Sequence, residues 1–125
     1  MIHHISVGTN DVARSRKFYD AVMPILGLSL MKESATSADY GSGHLVFSAE
    51  TPLDGKPATV GNGSHIAFDL ENRMQVDRFY QAALANGGTN DGAPGIRDNY
   101  DPHYYAAFVF DPDGHKIEAM TFASR

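Results

Sequence analysis

Two histidines and one glutamate carry the most chemistry in this chain: His4 in Ile2-His3-His4-Ile5-Ser6-Val7, His65 in His65-Ile66-Ala67-Phe68, and Glu118 in the run after the turn Asp111-Pro112-Asp113-Gly114. Imidazole and carboxylate are ligands for Zn²⁺, Ni²⁺, Mn²⁺ or Fe²⁺, and two His plus one carboxylate leave coordination positions open for water or substrate. An open site of that kind does catalysis rather than structural bracing. The chain has no cysteine, so a thiolate metal site and a disulfide framework are both excluded, and any metal must be held by His, Asp or Glu.

One glutamate on a strand is ordinarily surface, so the face that each residue occupies decides whether the three side chains can converge. Period-two alternation sets Ile5 and Val7 opposite His4, Ile66 and Phe68 opposite His65, and Ile117 opposite Glu118. If each sheet packs its aliphatic face on its own helix, the three polar side chains look toward a common concavity. The elements that do this positioning occur twice. His65 follows His4 by 61 residues, and the same offset relates Phe18-Tyr19 to Phe79-Tyr80 and Gly27 to Gly88. A strand, a helix and a helix-ending glycine therefore recur together, which marks two paired modules rather than a solenoid.

The spacing predicts a helix from Val12 to about Met23, capped by Asn10 or Asp11, and a second from Arg73 to Asn86, capped by Asn72. Leu28 to Lys32, Ala38 to Tyr40 and His44 to Ala49 read as short strands, and Tyr104 to Thr121 as a hairpin around its Asp-Pro-Asp-Gly turn. The chain divides into module one at 1–50, a connector rich in Gly and Pro at 51–64, and module two at 65–125, within a single α+β domain.

At 125 residues, 42% apolar and with formal charge −5, the sequence has the profile of one soluble globular domain. The acidic balance argues against nucleic acid. No stretch approaches the ~18 apolar residues of a membrane span and no export signal opens the chain, so a cytoplasmic protein without membrane association is expected.

With these residues in view, the chain resembles the vicinal oxygen chelate superfamily, which includes glyoxalase I, extradiol dioxygenases, fosfomycin-resistance enzymes and bleomycin-binding proteins. The resemblance rests on the His4-Ile5-Ser6-Val7 opening with Arg14, Phe18 and Tyr19, on its repeat at His65, and on Phe108 through Glu118. It implies a pair of βαβββ modules whose curled mixed sheets enclose a metal cavity, with His4, His65 and Glu118 as ligands of one divalent ion. It also implies a homodimer, and it allows glutathione as co-substrate.

Two positions depart from the relatives. Setting His44-Leu45-Val46-Phe47 against His115-Lys116-Ile117-Glu118 puts Phe47 where glyoxalase I has a second acidic ligand, so Phe47 is expected to face the cavity without ligating. Phe108 stands where the dioxygenase signature has tyrosine, and it cannot carry a proton. The long stretch Gly92 to His103 reads as a pocket-lining loop, in which Arg97 offers an anion contact and His103, with Tyr105 just beyond, a general base. The expected activity is metal-assisted lyase or isomerase chemistry on a small oxygen-rich substrate. Extradiol ring cleavage and metal-free small-molecule binding are the alternatives.

Overall fold

Asp11 and Asn72 have extended backbones, and their carboxylate and amide oxygens accept the backbone N–H groups of Arg14 and Gln75, both at 3.0 Å. Each satisfies an orphan donor of a helix start, a contribution of about 1 kcal/mol. The computed structural model describes residues 1–125 and places helix α1 at Val12–Val22 and α2 at Arg73–Ala85, within a residue of the predicted spans. The strands of module one are β1 (Ile5–Gly8), β2 (Ser29–Glu33), β3 (Ser37–Gly41) and β4 (Leu45–Glu50). Those of module two are β5 (His65–Asp69), β6 (Thr89–Ile96), β7 (Tyr105–Phe110) and β8 (Lys116–Thr121).

The modules build two four-stranded mixed sheets, ordered β1-β4-β3-β2 and β5-β8-β7-β6, so each first strand runs parallel to the last strand of its own module. This is the paired βαβββ architecture. The two sheets do not join into one closed barrel, and β1 and β5 each form a sheet edge. Residues 51–64 contain no helix or strand, as expected of a connector.

One core serves both modules. Phe18, Tyr19 and Val22 of α1 and Val76, Phe79 and Ala83 of α2 pack with Phe47, Ala49, Val109, Ile117 and Ala119 from the inner sheet faces. The helices also touch one another. The Asp-Pro-Asp-Gly turn ties the modules together: the Tyr19 hydroxyl donates to Asp111 at 2.5 Å, and Arg14 donates to Asp113 at 2.8 Å. Asp111 accepts in addition from the backbone N–H groups of Asp113 and His115, each at 2.9 Å, which fixes the turn from within.

Two expectations are corrected. Gly92 to Ile96 is not loop but the second half of β6, an edge strand whose register shifts twice, between Asn90 and Gly92 and between Gly92 and Gly95. Pro94 and the glycines conceal it, and an edge strand with bulges is where such residues are tolerated. Phe47 is also misplaced by the sequence alignment. It is 1% exposed, stacks on Tyr19 with ring centroids 4.8 Å apart, and belongs to the core face. Ile5 pairs with Phe47 as Ile66 pairs with Ile117, so Phe47 is the counterpart of Ile117, and Ser48 that of Glu118. His44 and His115 precede strands reached through turns of different length, and aligning them slips the register by one residue, which reverses every face.

Candidate functional site

β5 and β8 set His65 beside Lys116 and Ala67 beside Glu118, while Ile117 and Ala119 enter the core. His65, Lys116 and Glu118 therefore share the face turned away from the helices, as alternation predicts. Glu118 is only 2% exposed. Its Oε1 lies 3.2 Å from His65 Nε2, and its Oε2 accepts the Tyr104 hydroxyl at 2.5 Å. Tyr104 is braced edge-on by Tyr100 and Phe122, at centroid distances of 5.2 and 5.3 Å. Burial, then the hydrogen bond and charge of Glu118, push the Tyr104 phenol above its ordinary range and keep it a donor.

A buried carboxylate is costly unless it is paired or coordinates a cation. Two donor atoms bound to one ion at about 2.0–2.2 Å lie about 3 Å apart, and the His65–Glu118 separation of 3.2 Å suits that arrangement. This pair fits a divalent metal. His4 does not join it within one chain. Its Nδ1 lies 2.9 Å from that of His3, whose ring rests 4.6 Å from His44, at the N-terminal end of β1. The other end of β1 is the one near module two, where the His115 ring nitrogen donates to the Gly8 carbonyl at 2.7 Å. The four residue steps from His4 to Gly8 extend about 13 Å. No group of three His, Cys, Asp or Glu side chains is arranged to hold an ion within this chain.

The remaining candidates divide between the two sheet faces. Arg97 lies on the Glu118 face, its guanidinium 5.4 Å from the centre of the Phe108 ring, and Phe108 is the register partner of Glu118. His103 is exposed on the loop 97–104, with its backbone N–H on Asp101. Tyr105 departs from expectation, because its hydroxyl donates at 2.6 Å to Asp77 of α2, on the helix side of the sheet. Burial and that bond raise its pKa to about 12, which suits a structural donor rather than a base. The tyrosine at the carboxylate is Tyr104. Parity could have found it: residues 104, 106 and 108 share a face, and Phe108 lies beside Glu118.

The family follows from the comparison with known sequences: the model of the Glyoxalase/Bleomycin resistance protein/Dioxygenase superfamily matches residues 1–119. The chain belongs to that superfamily. A glyoxalase/bleomycin resistance protein from Albidiferax ferrireducens T118 is 41% identical, with 97% of this chain and 98% of that chain covered and a TM-score of 0.87. A glyoxalase-related enzyme from Fulvimarina pelagi shares the fold at 20% identity, covering 97% and 87% of the two chains with a TM-score of 0.76. The genomically encoded fosfomycin resistance protein FosX from Listeria monocytogenes does so at 16% identity, 97% and 92% coverage and a TM-score of 0.69. No curated protein matches the chain.

In this superfamily member a cleft of about 740 Å³ lies between the edge strands β1 and β5 under connector residues 59–64, and reaches His65, Asp91 and Lys116. Glu118 lies one residue pair deeper along β8 and does not line it. No helix is long and apolar enough to cross a membrane.

Proposed function

We propose that this chain is a glyoxalase-like, metal-dependent enzyme of the lyase or isomerase type, in which His65 and Glu118 of one chain and His4 of a second copy hold one divalent ion. The observation that carries the reading is Glu118 itself. It is an almost fully buried carboxylate whose one oxygen is engaged by Tyr104 while the other stands 3.2 Å from a side chain, His65, that is 46% exposed. The second copy is invoked because His4 lies at the far end of β1, on the surface, while β1 and β5 both offer unpaired edges.

When bound, a divalent ion polarises two neighbouring oxygens of a small substrate and stabilises negative charge as it develops. The protein's own side chains orient the ligands and move protons. Tyr104 holds the Glu118 carboxylate in one rotamer, and His103, exposed on the adjoining loop, is the proton carrier. Glutathione is the co-substrate for which a hemithioacetal reaction would call. Ring cleavage ranks second, since Phe108, which replaces the tyrosine of that signature, cannot relay a proton.

Complementation between variants tests the shared site. His4→Ala and His65→Ala each abolish metal binding alone, whereas refolding an equal mixture restores part of it, because a mixed dimer has one intact site. Failure of the mixture to bind metal, with both variants folded and dimeric, would refute the shared site.

A further inference from the structure

Arg97 and Lys116 approach the same phenyl ring. The Lys116 ammonium is 5.1 Å from the centre of Phe108 and the Arg97 guanidinium 5.4 Å. Lys116 has a carboxylate partner, Asp91 at 3.3 Å. Arg97 has none, and its one side-chain hydrogen bond runs from Nη2 to the Ala93 carbonyl at 2.8 Å. In a chain whose acidic groups outnumber Lys and Arg by 15 to 10, a half-buried arginine without an acid is out of balance.

The backbone is shaped around it. A Cβ on Gly92 would lie 3.2 Å from Arg97 Nη2 and 3.1 Å from the Phe108 ring, and a Cβ on Gly95 would lie 3.1 Å from Arg97 Nη1. The bulged glycines of β6 thus let the guanidinium lie down over Phe108. A guanidinium has five donors in a planar fork, of which the Ala93 carbonyl occupies one edge, leaving the rest for a planar oxyanion. Phe108 is the register neighbour of Glu118, so the unfilled cation stands one strand from the site already described.

From this we infer that Arg97, assisted by Lys116, is a seat for a carboxylate group, and that the substrate is a small organic acid whose carboxylate docks there. The inference names the substrate class of the site proposed above and rests on that site being the reactive one. The seat itself needs no metal, so it is tested on chelator-treated protein. Malonate and its neutral analogue malonamide are titrated while the Phe108 ring and Arg97 side-chain resonances are followed by NMR. Malonate should shift them saturably and malonamide should not. Arg97→Gln should weaken malonate binding at least tenfold, Lys116→Gln less. Gly95→Ala, which keeps every charge but crowds Nη1, should weaken it a few-fold. Equal binding of malonamide, or unchanged malonate affinity in folded Arg97→Gln, would overturn the seat. Loss of metal binding with malonate binding intact would instead count against the metal site alone.

Discussion

Ser48 occupies in β4 the place that Glu118 occupies in β8: Ser6 pairs with Ser48 as Ala67 pairs with Glu118. The hydroxyl of Ser48 donates to Asp39 at 2.7 Å, and the residue is 2% exposed. Module one therefore carries a serine at the register position where module two carries the carboxylate beside His65. Ser48→Glu should supply a fourth ligand and tighten divalent metal binding by about tenfold, at some cost in stability from the nearby Asp39 and Glu50. Unchanged affinity in a folded variant would show that the His4 end of module one does not reach the ion.

Tyr104 holds the carboxylate from behind. Tyr104→Phe keeps the aromatic packing with Tyr100 and Phe122 and removes only the hydroxyl, so metal affinity should fall roughly 10-fold, as for other outer-shell partners. Calorimetric titration reads this directly. An equal loss of thermal stability with no change in affinity would mean that Tyr104 serves the fold and not the site.

The junction between modules is set by Tyr19 and Asp111. Tyr19→Phe leaves a buried carboxylate oxygen short of a donor and should cost about 1–3 kcal/mol in denaturant unfolding.

Asp111 also gives the stability a pH dependence. Burial raises its folded pKa above the ordinary 3.8, against the pull of Tyr19 and the backbone N–H groups. Between the ordinary and the raised value the folded state holds more protons, so stability declines as pH rises through that window. Asp111→Asn, which keeps acceptors for the backbone donors, should flatten that decline relative to wild type in paired unfolding curves. Parallel curves for the two proteins would count against a raised Asp111.

How much of this was legible in the sequence follows from the range of each interaction. The helix caps at Asp11 and Asn72 and the alternation around Glu118 are local, and the structure repeats them. The register of β4 is not local. His44 and His115 look equivalent, but only pairing with β1 and β5 shows that Phe47 matches Ile117. Tyr104 and Tyr105 differ by one residue, and parity counted from Phe108 separates them, whereas loop composition cannot. β6 was hidden because Gly92, Pro94 and Gly95 carry turn chemistry into an edge strand.

The most direct test is the metal content of protein purified without a tag or chelator and then titrated with Zn²⁺, Ni²⁺, Mn²⁺ and Fe²⁺. About one ion per chain should bind for at least one of these metals, and it should be lost in His65→Ala and in Glu118→Gln. A folded wild-type protein that binds none of them, or a His65→Ala variant that binds as tightly as wild type, would contradict it.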